Sequence, residues 1–274
     1  MRTIDASAPI RLSGWALVLG ASSGFGAATA LALAAAGLDV VGVHLDRRAT
    51  LSAAERVAAA VEQCGRRARF FNVNAAAADR RAEVVSALER ALAETGRPGG
   101  LRVLLHSLAF GTLKPYVADD PKDAVSAAQM SMTLEVMAHS LVYWSQDVVT
   151  RGLMGPGGRI FAMTSAGGVR ALPHYGAVSA AKAALESHVR QLAVELAPRA
   201  ITVNAIRAGV TATPAAQKIP GYASLEDDAR RRNPSGRLTT PDDVARAIVA
   251  LSHEATGWVT GNVIGVDGGE DIVG

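Results

Sequence analysis

The stretch from Gly14 to Ala36 constrains the fold more than any other. A continuous apolar run, Trp15-Ala16-Leu17-Val18-Leu19, leads into Gly20-Ala21-Ser22-Ser23-Gly24-Phe25-Gly26 and then into a helical segment of Ala and Leu. An apolar run without alternation marks a strand covered on both faces, as in a parallel sheet between two helix layers. Glycines at the strand exit let the backbone approach a pyrophosphate, and the N–H groups and dipole of the next helix stabilise the anion. Gly20, Ser22, Ser23, Gly24, Phe25 and Gly26 are therefore candidate cofactor contacts. Three glycines alone would mark only a tight turn. A second strand over Asp39 to Leu45 and a helix over Leu51 to Cys64 turn the motif into a βαβ dinucleotide unit.

The alternation continues along the chain. Further strands are expected at Ala68 to Val73, Leu101 to His106, Gly157 to Thr164, Ile201 to Ile206 and Asn262 to Val266. Helices are expected at Asp79 to Thr95 and, as one long element, at Asp119 to Arg151, with a loop over Gly96 to Gly100. The pattern predicts an α/β fold: a doubly wound, Rossmann-type, seven-stranded parallel sheet flanked by helices, as a single domain over 1–274. Met1 to Leu12 has no clear period and is expected to be a flexible leader. Met130, Met132, Met137, Leu141 and Trp144 form a stripe that belongs in the core or at a subunit interface. Thr211 to Gly236 is long, polar and partly helical, the place for a substrate lid. Within it Glu226, Asp227 and Asp228 stand four residues before Arg230, Arg231 and Arg232, a spacing for helical ion pairs. Docking of an acidic carrier protein on these arginines is the alternative.

Composition excludes several function classes. At 274 residues and 49% hydrophobic content the chain can bury a sizeable core. The net charge is +3, but the basic residues are dispersed and aromatics are only 4%, so no nucleic-acid stripe is expected. The single cysteine, Cys64, excludes a disulfide framework and a CxxC metal site; no metal is expected, and a reducing cytoplasm fits. Trp15 to Leu19 is too short to span a membrane. The chain reads as a soluble protein with no membrane contact.

The end of the second strand bears on cofactor choice. NAD sites carry an acid there to bind the ribose hydroxyls, whereas a 2′-phosphate needs a positive partner. The residues are His44, Leu45, Asp46, Arg47 and Arg48. With His44 at the strand end and both arginines as phosphate partners, NADPH is expected; Asp46 is the feature that suits NADH. Asn72, followed by Val73, ends the third strand where its amide could meet an adenine edge. Ser107, Leu108 and Ala109 leave the fourth strand, beyond whose carboxyl end a ligand would lie.

From Tyr175 onward Val178, Ala181, Leu185, Val189 and Leu192 recur at steps of three or four, an amphipathic helix. Seven residues at about 100° each return to within about 20° of the start, so Tyr175 and Lys182 share a face. An ammonium near a phenol favours phenolate and is expected to lower its pKa from about 10, making Tyr175 a proton donor or oxyanion binder. Only four of the 28 basic residues are lysines, which sets Lys182 apart from an arbitrary surface charge.

The glycine loop, the Asn72-Val73 strand end, the Tyr/Lys helix, Asn204-Ala205-Ile206 and the closing Val266-Asp267-Gly268-Gly269 resemble the short-chain dehydrogenase/reductase superfamily from about Trp15 to Gly269. Three departures are similar to one branch, the bacterial enoyl-[acyl carrier protein] reductases. Most members place the tyrosine four residues before the lysine, where this chain has Val178; Tyr175 stands one turn earlier. His106-Ser107-Leu108-Ala109 replaces the usual Asn-Asn-Ala-Gly, and Ala208-Gly209 replaces Pro-Gly. Ser165, ten positions before Tyr175, stands where many enoyl reductases have an aromatic residue and where the NADPH-dependent Bacillus type has serine.

The resemblance implies hydride transfer to C3 of a trans-2-enoyl thioester carried on acyl carrier protein or CoA. Tyr175 would hydrogen-bond the thioester oxygen as the enolate forms, and Lys182 would hold the nicotinamide ribose. Ser165 would bind the same oxygen or orient Tyr175. Ser107 and Leu108 would run along the cofactor, Val210 would hold the carboxamide through its backbone, and Thr213 would contact the pyrophosphate or carboxamide. Phe110, Met163 and Leu172 would suit an acyl chain. The resemblance also implies a homotetramer through the two long helices. Ser165 stands seventeen residues before Lys182, the separation in carbonyl-reducing members, so a carbonyl or 3-oxoacyl reductase is the alternative, although no asparagine completes that set. A nucleotide-sensing protein without turnover is the third reading.

Overall fold

The computed structural model describes residues 10–96 and 99–273. Seven parallel strands form one sheet in the order β3-β2-β1-β4-β5-β6-β7. They are β1 (Trp15–Leu19), β2 (Asp39–His44), β3 (Ala68–Asn72), β4 (Leu101–His106), β5 (Arg159–Ser165), β6 (Thr202–Ala208) and β7 (Val263–Val266). The expected strands are present, shifted at their ends by a residue or two. The helices are α1 (Gly24–Ala35), α2 (Leu51–Gln63), α3 (Ala78–Glu94), α4 (Ala127–Leu134), α5 (Ser140–Thr150), α6 (Gly176–Leu196), α7 (Tyr222–Arg232) and α8 (Pro241–Leu251).

Each strand feeds two cores because successive side chains leave opposite faces. In β1, Trp15, Leu17 and Leu19 join Leu88, Leu141, Trp144, Leu185 and Val189 from α3, α5 and α6. Ala16 and Val18 join Leu33, Val57, Val61, Val244 and Ile248 from α1, α2 and α8. The sheet is thus wrapped on both sides, as the unbroken apolar run in β1 requires. The winding reverses between β1 and β4, which opens a crevice beyond their carboxyl ends.

The expected single helix over Asp119 to Arg151 is not what forms. Asp120-Pro121 supports only a 3₁₀ turn, Pro121–Asp123. The first α-helix then begins at Ala127, where Ser126 and Gln129 form a reciprocal capping box, Gln129 N–H to Ser126 Oγ at 3.2 Å and Ser126 N–H to Gln129 Oε1 at 3.0 Å. A π-helical turn over Glu135–His139 separates α4 from α5. The methionine stripe divides accordingly: Met137, Leu141 and Trp144 are buried, whereas Met130 and Met132 are half-exposed. Of the expected leader, residues 1–9 lie outside the described residues, as do residues 97–98 of the expected loop. Leu12 packs on the α1 side of the sheet and donates its N–H to Ala36 at 2.8 Å. Among the described residues no helix is long and apolar enough to cross a membrane.

Candidate active site

The exits of β1 and β4 touch. Ser107 N–H donates to Leu19 O at 2.9 Å, and Gly20, at φ 91°, lies so close that a Cβ there would stand 2.4 Å from Ser107 O. At Gly26 a Cβ would stand 2.0 Å from Gly20 O, so the first turn of α1 packs on the loop backbone with no space for a side chain. The Ser23 side chain makes no cap hydrogen bond to α1. This close-packed loop at a helix N-terminus fits a dinucleotide pyrophosphate. Thr213 lies against it: a Cβ on Gly24 would meet Thr213 Cγ2 at 3.3 Å.

At the β2 exit the structure reassigns roles. Asn72 spends both ends of its amide on Asp46, accepting its N–H at 2.9 Å and donating to its carbonyl at 3.0 Å. It therefore positions the β2 exit, with one amide N–H left for a further partner. His44 is buried and bonds Asp46 Oδ2 at 2.9 Å, so it supports Asp46 from beneath. Burial works to raise the Asp46 pKa, but hydrogen bonds with Thr50, Ser22 and His44 outweigh it and hold the carboxyl below the usual range. Asp46 is half-buried, while Arg47 and Arg48 are exposed. Val73 donates its N–H to His44 O at 2.8 Å and packs on the core.

A cavity of about 750 Å³ opens beyond β4, β5 and β6. Phe25, Ser107, Leu108, Ala109, Ser165, Tyr175, Lys182, Ala208, Gly209, Val210 and Thr213 line it, together with the apolar Phe110, Met137, Met163 and Leu172. The segment after β6 closes one side with Ile219 and Leu225, as a lid would. Its arginines are engaged: Arg230 pairs with Glu226 at 3.1 Å, Arg231 with Asp228, and Arg232 lies 3.8 Å from Glu270. Of the three expected i,i+4 pairs only Glu226–Arg230 forms; Asp228 pairs with Arg231 one position earlier, and Arg232 turns to Glu270.

Tyr175 is the N-cap of α6 and not its first helical residue. His174, in the left-handed region at φ 61°, and a turn from Tyr175 N–H to Leu172 O at 3.2 Å deliver the ring into the cavity wall. The ring packs on Gly167, where a Cβ would stand 2.5 Å from Tyr175 Cε1. Its pKa is raised, not lowered as the sequence suggested. Burial is the larger cause, and a hydrogen bond with Ser165 opposes it. Tyr175 is a neutral phenol. Lys182 is buried and donates to Met163 O at 2.7 Å; burial lowers its pKa from 10.5 to about 8, with the Glu186 charge opposing. Below that pH it is an ammonium. The end of β4 supplies His106, wholly buried, whose Nε2 lies 2.8 Å from Ser140 Oγ. Burial first, and the Lys182 charge second, lower the His106 pKa to about 3, so the ring is neutral.

Two features of the cavity escaped sequence reading. Glu270, buried, accepts the Val210 N–H through Oε2 at 3.0 Å, the backbone donor assigned above to a carboxamide. Asp271 lies 2.7 Å from Arg170 Nη2 and 3.1 Å from Arg207 Nη2, tying the loop after β5 and the end of β6 to the turn after β7. Both acids directly follow Gly268-Gly269, at φ 63° and 88°, and that glycine pair was the available signal.

The family model described as enoyl-(acyl carrier protein) reductase matches residues 20–270. An enoyl-[acyl-carrier-protein] reductase [NADH] FabI of Synechocystis is 35% identical over 179 residues, 64% of this chain and 67% of the relative. A 1-cyclohexenylcarbonyl-CoA reductase of Streptomyces collinus is 34% identical over 260 residues, 94% of this chain and 86% of the relative. Among solved structures, the reductase LugOII, described as catalysing keto-reduction in lugdunomycin biosynthesis, superposes with a TM-score of 0.80 at 31% identity, covering 96% of this chain and 99% of that one. These matches, with the glycine loop and the Tyr175–Lys182 site, make the protein an NAD(P)H-dependent oxidoreductase. The chain belongs to the short-chain dehydrogenase/reductase superfamily, in its enoyl-(acyl carrier protein) reductase family.

Proposed function

We propose that the protein reduces the C2–C3 double bond of a trans-2-enoyl thioester, carried on acyl carrier protein or CoA. The observation that carries this reading is a buried neutral phenol, Tyr175, one turn ahead of the usual position, lining the same largely apolar cavity as a buried ammonium, Lys182. When bound, the nicotinamide supplies the hydride. The Tyr175 O–H donates a hydrogen bond to the thioester oxygen, where negative charge grows as C3 is reduced. Lys182, fixed by Met163 O, keeps a positive charge in this low-dielectric pocket and has further N–H donors for a ribose hydroxyl. Ser165 orients the phenol. Phe110, Met163 and Leu172 exclude water from the acyl end.

NADPH is the proposed cofactor, with Arg47 and Arg48 as the exposed phosphate partners; the carboxylate of Asp46 supports NADH as the competing choice. The resemblance supports a homotetramer, which light scattering would test. A carbonyl or 3-oxoacyl reductase is the second reading, favoured by Ser165 lining the same cavity as Tyr175 and Lys182. Tyr175→Phe tests the site: turnover should fall on the order of 100-fold or more while cofactor affinity is nearly unchanged. Unchanged turnover would remove Tyr175 from the chemistry.

A further inference from the structure

Three consecutive residues at the end of β5 face the α6 segment, and two of them hold α6 side chains by hydrogen bonds. Met163 accepts from Lys182 Nζ through its carbonyl at 2.7 Å. Ser165 lines the cavity wall together with Tyr175. Between them Thr164, itself buried, donates its hydroxyl to Glu186 Oε1 at 2.6 Å. Glu186 stands one turn beyond Lys182 on α6, so both side chains lie on one helix face. Gly168 fits against the same pair: a Cβ there would stand 3.3 Å from Lys182 Cβ and 3.5 Å from Glu186 Oε1. Two members of this register serve the proposed chemistry. The third holds a carboxylate to which no role has yet been given.

We propose that Glu186 is a positioning residue for Lys182: fixed by the Thr164 hydroxyl, its carboxylate is the counter-charge that keeps the buried lysine an ammonium at neutral pH. The proposal rests on the reading of Tyr175 and Lys182 as the reactive pair. The other groups around Lys182 do not supply that charge. His106, from β4, is neutral, and Tyr175 is a neutral phenol. On the cavity side Asp271 is shared between Arg170 and Arg207, and Glu270 is engaged by the Val210 N–H and faces Arg232. On the α5 side His139 Nδ1 meets His188 Nε2 at 3.0 Å. Burial brings Lys182 down to about 8, and Glu186 is the charge that opposes the fall. Without it the lysine would lose its proton nearer neutrality, and the positive potential beside the oxyanion would go with it.

The test is the alkaline limb of the kcat–pH profile, expected near pH 8 in the native enzyme with a crotonyl thioester. Glu186→Gln should move that limb down by about half a pH unit or more. Thr164→Val, which frees the carboxylate, should move it the same way by less, and Glu186→Asp should restore part of the shift. Urea unfolding of the apoprotein gives a readout without turnover: the stability gained as Lys182 deprotonates should set in at lower pH in Glu186→Gln. An unmoved limb with an unmoved onset would overturn the role of Glu186. Should Glu186→Gln fail to fold, Thr164→Val decides the question by the same two criteria. Tyr175→Phe separates the two claims: if it is inactive while the limb stays fixed, the Glu186 role alone is wrong. If it keeps full turnover, the site reading falls and the proposal with it.

Discussion

A buried lysine that must stay charged destabilises the fold that holds it, and Lys182→Met measures by how much. In the apoprotein, burial lowers the Lys182 pKa from 10.5 to about 8. At about 1.4 kcal/mol per pH unit, that difference costs the folded state on the order of 3 kcal/mol wherever the lysine is charged in both states. The sign is opposite to that of a lysine that gains a partner on folding. Between pH 8 and 10.5 the unfolded chain keeps a proton that the folded chain has released, so stability rises with pH across that window. Below pH 8 the cost is complete. Methionine fills a similar volume without a charge, so the variant lacks the pH-dependent part. The hydrogen bond lost at Met163 O is a nearly constant offset. The assay is urea unfolding of native and variant apoprotein from pH 7 to 10, taken as a difference so that other titrating groups cancel. The stability of the variant minus that of the native protein should be greatest at pH 7 and fall by about 2–3 kcal/mol towards pH 10. A flat difference would refute the account of Lys182 as a desolvated ammonium.

Replacing Arg47 and Arg48 by alanine should weaken NADPH far more than NADH in fluorescence titrations, and Asp46→Asn should weaken NADH more; equal losses in both variants would remove the β2 exit from cofactor choice. Gly26→Ala should abolish binding of either cofactor, because its Cβ would stand 2.0 Å from Gly20 O and the loop would have to open. Retained affinity would show that the loop yields without cost.

The sheet was legible in the sequence because a strand buried on both faces cannot hide its apolar run, and β1, β4 and β5 all carry one. The helix breaks between Asp119 and Ser140 were not seen. The apolar stripe runs through them, although Ser126-x-x-Gln129 is a capping box visible in the sequence. For the site, helical spacing put Tyr175 and Lys182 on one face, and both line the cavity. The sign of the Tyr175 pKa did not, because desolvation depends on what covers the ring, and spacing carries no information about that. Roles that depend on contacts between distant segments were likewise out of reach. Asn72 reaching Asp46, Thr164 reaching Glu186 and Glu270 taking the Val210 N–H each join segments far apart in the chain, and each residue read singly is only a polar residue. The same polar side chains fix the geometry of the site, so its outline was readable and its wiring was not.

The central claim is that the shifted tyrosine marks reduction of a carbon–carbon double bond. Its most direct test is reduced-nicotinamide consumption by the purified protein on crotonyl and acetoacetyl thioesters in parallel, with NADPH and NADH each in turn. The account predicts consumption with the crotonyl thioester and none with the acetoacetyl thioester. Consumption with the acetoacetyl thioester alone would contradict it, and would make Ser165, Tyr175 and Lys182 a carbonyl-reducing set.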